Sequence, residues 1–250
     1  MMPGKTFDDL TDVYEVMIDW PKRLTHEAPF FRTWFERVGA GRVLDAACGT
    51  GRHAAMFHGW QLCVEGADIS PKMIERARAV FGEPDGLRWV VRGFQQPVES
   101  AEPLDAVLCV GNSLALAADA ATAARAVRQL LLALRPGGVL IVQVLNLWHL
   151  PDGPCVWQKC RRHSLPQGES LIVKGVHRCG GRGYVELLVA AAAGEPLWQA
   201  DSVPFLGLER ADLERMAADA GAAEIQFFGG YESQPYDRQT SVDLILVARK

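Results

Sequence analysis

The stretch VLDAACGTGRHAAM, residues 43–56, decides how this chain is read. An apolar strand-like start runs into Asp45, then small residues and Cys48, then Gly49 and Gly51 around Thr50, before a helical pattern begins. Glycines between a strand and a helix let the backbone approach a bound group. Gly49, Gly51 and Ala54 satisfy G-x-G-x-x-G/A, and Asp68 follows at the interval expected of a ribose-binding acid, so a dinucleotide is one candidate ligand. Asp45 argues against it. A carboxylate at the end of the first strand repels a pyrophosphate and welcomes an ammonium, which favours a cofactor carrying an amino-acid group and a ribose.

The 250 residues suffice for one large α/β domain, and 49% hydrophobic with 22% charged residues is ordinary globular composition. A net charge of −4 provides no basic field for nucleic acid or anionic lipid, which leaves a small-molecule partner. The start MMPGKTFDDL lacks a secretory pattern, and the longest apolar run, VLIVQVL at 139–145, is strand-sized and holds Gln143. No membrane association and a cytoplasmic location are therefore expected. Six cysteines are then reduced thiols. Cys155, Cys160, His163, His177 and Cys179 cluster in sequence but lack C-x-x-C pairs, so no metal site is expected.

Residues 8–38 carry helical patterns with Pro21 and Pro29 as breaks, and Thr6 or Asp8 as the first cap. Strand-like runs follow at 42–47, 61–68, 87–91, 105–110 and 138–146, with helical patterns at 51–59, 71–81 and 119–134. Apolar runs with little alternation are strands buried on both faces, and their alternation with helices makes them parallel. The expected fold is α/β: a Rossmann-like, mostly parallel sheet with helices on both faces. After residue 146 a Pro/Gly-bearing loop at 147–168 leads to two strand-like runs around GGRG, an antiparallel hairpin insertion. A helix at 209–221 and two strands at 223–230 and 241–249 close the chain. The expected division is a helical arm (1–40), a cofactor core (41–146), a substrate lid (147–205) and a C-terminal segment (206–250) within one domain.

At this point the sequence resembles the class I S-adenosylmethionine-dependent methyltransferases. VLDAACGTG looks like their first motif, with Ala47 where the first glycine is commonest, and VEGADISPKMIERAR (64–78) looks like the second. LDAVLCVGNSLALA (104–117) and LRPGGVLIVQVLN (134–146) look like the later ones. The resemblance is nearest to the glycine N-methyltransferase group, through ACGTG, LCVGNS and RPGG, and it implies a seven-stranded sheet and S-adenosylmethionine as cofactor. It further implies that Ala47 and Gly49 line the methionine part, Arg23 meets its carboxylate, and Tyr14 and Trp20 close over it. Asp68 would accept both ribose hydroxyls and Phe94 would lie near adenine, with Ile69, Met73, Gly93, Gln95, Val110 and Ser113 completing the site beside Asp45 and Gly51. Core packing is the competing reading for Tyr14 and Trp20, and a solvated charge for Arg23.

Departures from that group bear on the substrate. Gly93-Phe94-Gln95 stands where many relatives carry an acid for the adenine amino group, Leu116 stands for a histidine, and Leu145 stands for the arginine that binds the glycine carboxylate. Losing that bidentate partner makes glycine a poor substrate. Asn112, at the end of the fourth strand, is the candidate orienting group, with turn formation as its competing role. For a base, His149 is named ahead of His163, His177, Tyr231 and Tyr236, none of which is paired by spacing with an acid. The reading is methyl transfer to the nitrogen or oxygen of a small molecule, with oligomeric state open. The alternatives are a NAD(P)-dependent oxidoreductase and a non-catalytic S-adenosylmethionine-binding protein. A nucleic-acid substrate is disfavoured by charge and by Gly-Asn-Ser after the fourth strand, where an N/D-P-P-Y/F sequence would stand.

Overall fold

A computed structural model describes residues 15–100, 102–165, 168–191 and 197–250. The expected first helix cap and Tyr14 lie outside the described residues. Helix α1 (Trp20–Val38) leads into β1 (Arg42–Ala46), α2 (Arg52–His58), β2 (Cys63–Asp68), α3 (Pro71–Phe81), β3 (Leu87–Val91), β4 (Leu104–Cys109), α4 (Ala120–Leu132) and β5 (Leu134–Leu145). The chain continues through β6 (Val156–Leu165), β7 (Gly168–Cys179), β8 (Arg182–Ala191), β9 (Leu197–Leu206), α5 (Arg210–Asp219), β10 (Glu224–Phe228) and β11 (Asp243–Arg249).

Seven strands form one sheet in the order β10-β11-β5-β4-β1-β2-β3. β1 to β5 are mutually parallel, while β11 runs antiparallel to both β5 and β10. The strands are apolar on both faces because both faces are covered. In β5, Leu140, Val142 and Val144 join a core with α4 and α5, whereas Val139 and Ile141 join a second core with α1, α2 and α3. β11 divides in the same way, with Leu244 and Leu246 on one side and Ile245 and Val247 on the other.

Two expectations are corrected. Pro29 does not break the first helix; α1 runs through it, and Pro21 lies in its first turn behind the Asp19 cap. An internal proline costs about 3 kcal/mol. Phe30, Phe31, Trp34 and Phe35 offset that cost by burying one face of α1, with Phe31 edge-on to Phe57 at 5.4 Å and Phe30 edge-on to Tyr231 at 5.6 Å. The hairpin around GGRG exists, with Gly180 and Gly181 turning between paired Cys179 and Arg182, but it is the centre of a four-stranded antiparallel sheet, β6-β7-β8-β9. β6 occupies what reads in sequence as loop. Its VWQKCRRHSL is almost wholly exposed, the composition of a charged edge strand that resists further pairing.

Two interior glycines exist for one indole. A Cβ on Gly66 of β2 or on Gly51 would stand 2.5 Å from the Trp89 ring. Gly66→Ala is expected to cost about 1–3 kcal/mol through overpacking, read as a lower denaturation midpoint with an unchanged m-value. No helix among the described residues is long and apolar enough to cross a membrane.

Candidate functional site

The first four parallel strands end side by side, and the segments that follow them enclose a cavity of about 380 Å³. The bend after β1 takes three left-handed residues, Ala47 at φ 60°, Gly49 at 55° and Gly51 at 82°. That conformation explains glycine at 49 and 51, and it makes Ala47 a strained choice. The Asp68 carboxylate fixes the bend: one oxygen accepts from the Gly49 amide and the other from the Ser70 amide, both at 2.9 Å. Ser70 in turn caps α3 by accepting from the Met73 amide at 3.2 Å. As an acceptor-only group lining the cavity, the Asp68 carboxylate suits a ligand hydroxyl.

Ala47, Gly49, Asp68, Ile69, Met73, Gly93, Phe94, Gln95 and Ser113 all line this cavity. Ile69 is 62% exposed there, an apolar side chain on the cavity surface. Leu116, read from sequence as bearing on the substrate, also lines it, as do Arg92 and Thr122, which sequence reasoning missed; the signal for Arg92 is its place directly after β3. Arg92 is held by Glu65 of β2 in a sheltered ion pair.

The other expected cofactor residues stand outside its lining. Gly51 packs against Trp89. Val110 is buried, and Trp20 is buried edge-on to His53 at 5.9 Å, with the Arg23 guanidinium over its ring. Asp45 lies within β1, 1% exposed, and neither carboxylate oxygen has a hydrogen-bond partner among the described residues. Burial pushes its carboxyl up to about 6; His53 opposes the shift and the Asp68 charge adds to it. Beside it run Glu27 and His53, buried and 2.6 Å apart, with Arg23 donating to Glu27 at 2.8 Å. Burial raises the Glu27 carboxyl, but His53 and Arg23 outweigh it and hold the group below the usual carboxylate range. The described end of the N-terminal arm also closes on the glycine bend, where Glu15 accepts from the Thr50 hydroxyl and from Arg52.

A second cavity, of about 360 Å³, lies between the central sheet, α1 and the four-stranded sheet. Gly111 and Leu116 line both cavities. Leu145, Arg23 and Asn112 line the second one, with Val176 and Leu187 from the four-stranded sheet. Asn112 is left-handed at φ 67°, and its side-chain carbonyl accepts from the Leu145 amide at 2.9 Å, so its turn-forming role is real.

Gln143, Asp243 and Lys174 also face this cavity and were not singled out from sequence. The Gln143 carbonyl accepts from the Gly111 amide at 2.7 Å and the Asn112 amide at 3.1 Å, which fixes its NH2 as donor to Asp243 at 2.7 Å. Burial pushes the Asp243 carboxyl up, against that hydrogen bond. Of the base candidates only Tyr231 reaches the cavity, and burial raises its phenol well above its ordinary value. His149 is turned into its own 3-10 turn, its ring on the Asn146 carbonyl, and lines neither cavity. His163 is exposed on β6, His177 pairs with Glu186 at 2.9 Å, and the Tyr236 hydroxyl donates to Asn146 at 3.1 Å.

Residues 43–138 match the model of a methyltransferase domain. The stretch from β1 to the start of β5 thus resembles the methyltransferase family, over less than half of the chain. The amino pentose methyltransferase CalS10 of Micromonospora echinaspora superposes with a TM-score of 0.73 at 23% identity, covering 100% of each chain. The sugar N-methyltransferase KedS8 of a Streptoalloteichus species superposes with a TM-score of 0.73 at 24% identity, over 100% of this chain and 94% of that one. The glycine/sarcosine N-methyltransferase of Parasynechococcus marenigrum is 32% identical over 58% of this chain and 52% of its own. The match thus spans about half the length of that curated relative. The candidate site is therefore two cavities that meet at the Gly111 turn.

Two outcomes test this geometry. Ala47→Gly is expected to stabilise the protein by about 1 kcal/mol by relieving the left-handed alanine, raising Tm by roughly 2–4 °C. For Asp45, the folded state binds more protons than the unfolded one between about pH 4 and the folded value of about 6. Its contribution to stability therefore falls as pH rises through that window, by about 3 kcal/mol in full. The difference in unfolding free energy between wild type and Asp45→Asn should show that slope and level off above pH 6.

Proposed function

We propose that this protein methylates an amine of a small-molecule acceptor at the expense of S-adenosylmethionine. The observation that carries the reading is the pair of adjoining cavities: one has hydroxyl acceptors and a glycine bend, the other has an acidic wall under an apolar lid, and Gly111 and Leu116 border both. Amine acceptors are favoured because the relatives that match are named for glycine, sarcosine, amino pentose and sugar nitrogen methylation.

The residues fit the cofactor. Asp68 would take the ribose hydroxyls, Ile69 and Phe94 would cover the base, and Gln95 would meet its polar edge. Asp45, a buried carboxylate with no partner among the described residues, is suited to a cationic amino-acid end, and Arg23 to its carboxylate. The cofactor supplies a methyl already activated on a sulfonium. The protein then has to place a nitrogen in line, exclude water and remove the ammonium proton. Asp243, with one oxygen held by Gln143, is placed to bind the ammonium and to accept its proton, which delivers a free amine lone pair. Leu145 leaves glycine without a carboxylate partner on β5 and favours a larger acceptor under the lid formed by residues 147–205.

Calorimetry with S-adenosylhomocysteine tests the first step. Wild type should bind, and Asp68→Ala should lose about 100-fold, the worth of two charge-assisted hydrogen bonds at roughly 1.5 kcal/mol each. Binding near pH 6 should release a proton as Asp45 gains a cationic neighbour, seen as a buffer-dependent heat. A wild-type protein that ignores the thioether and binds a pyridine nucleotide would overturn the reading.

A further inference from the structure

Lys174 breaks the pattern of its own strand. Ile172, Lys174 and Val176 share one face of β7 by the two-residue repeat, and Ile172 and Val176 are fully buried. Directly across in β8 stands Leu187, also buried and also lining the acceptor cavity. An apolar residue would complete this face; a lysine stands there instead.

The groups around it do not neutralise it. Its cross-strand neighbour on β6 is Lys159, whose ammonium donates to the Met17 carbonyl at 2.9 Å. From α1 the cavity receives Arg23 and Glu27, joined to each other at 2.8 Å, and from β11 it receives Asp243, joined to Gln143. Among the described residues Lys174 has no hydrogen bond and no ion pair. Burial pushes its ammonium down to about 8, and the charges of Lys159 and Arg23 add to the effect. A sheltered cation opposed by like charges is unfavourable by itself, and an anion beside it would reverse the balance.

We propose that Lys174 binds an anionic group, carboxylate or phosphate, carried by the methyl acceptor, whose amine lies toward Asp243 on the opposite wall. The inference rests on the methyltransferase reading and narrows its substrate to amines that bear a negative charge at a distance. The lid thereby supplies the cation that Leu145 does not supply from β5.

The test compares glucosamine, glucosamine 6-phosphate and muramic acid as acceptors for wild type, Lys174→Met and Lys174→Arg. At least one of the two anionic amines should exceed glucosamine by tenfold or more in kcat/KM with wild type, and which one distinguishes phosphate from carboxylate. Lys174→Met should lower kcat/KM for the preferred anionic amine by tenfold or more, mainly through KM, so that the preference over glucosamine is lost, and Lys174→Arg should retain the preference. Where turnover is absent for all three, their calorimetric affinity for the S-adenosylhomocysteine complex is the readout, and equal affinity or none overturns the proposal. Equal use of the three amines by wild type also overturns it. So does a loss of kcat with every acceptor in both variants, which would make Lys174 a base. S-adenosylhomocysteine binding is measured on each variant: intact binding with no anion preference sinks this inference alone, whereas absent binding in wild type sinks the methyltransferase reading.

Discussion

A single carboxylate shared by two loops organises this molecule. Asp68 ends β2, yet its oxygens accept amides from the bend after β1 and from the start of α3. Parallel strands place their carboxyl ends along one edge, but they do not by themselves set the loops beyond that edge. Two short hydrogen bonds to an ionised group do so here, because each is worth more than a neutral pair and leaving either amide unmade in a sheltered place is costly. The side chain that holds the bend also lines the cavity, so scaffold and candidate site draw on one residue.

The second cavity depends on a different kind of joint. The Gln143 amide ties the turn after β4 to Asp243, and its orientation is forced by the two backbone donors on its carbonyl. Three strands thus meet at one side chain where the two cavities touch. The four-stranded sheet brings mostly apolar surface to that place, and a bulge between Trp157 and Lys159 accompanies the turn of Gln158 toward it.

The central strands were legible in sequence because burial on both faces leaves an unbroken apolar run, and a run such as VLIVQVL has no other stable home in a small domain. β6 was not legible because an exposed edge strand carries the charges of a loop, and Pro29 misled because aromatic packing outweighs a lost helical bond. In the site, the glycine bend and Asp68 could be read because their spacing is local. Gln143, Lys174 and Asp243 each appear as one polar residue in an apolar run, and only the tertiary fold makes three such interruptions face one space. Of the base candidates all but Tyr231 stand away from both cavities for the converse reason: histidine is chemically suggestive anywhere, and His149 spends its ring on a backbone carbonyl.

Trp89 sits where the side chains of residues 51 and 66 would otherwise be, so the indole and the two glycines occupy one shared volume. The glycine that looks most like a ligand contact is thereby set by an aromatic ring on a neighbouring strand. Across homologues these three positions should vary together: a smaller residue at 89 removes the tightest contact at both, leaving Ala77 beside position 51 and Cys48 beside position 66, and a chain that keeps the tryptophan must keep both glycines. The left-handed bend at residue 51 limits that freedom to residues that tolerate it, so position 66 should diversify first.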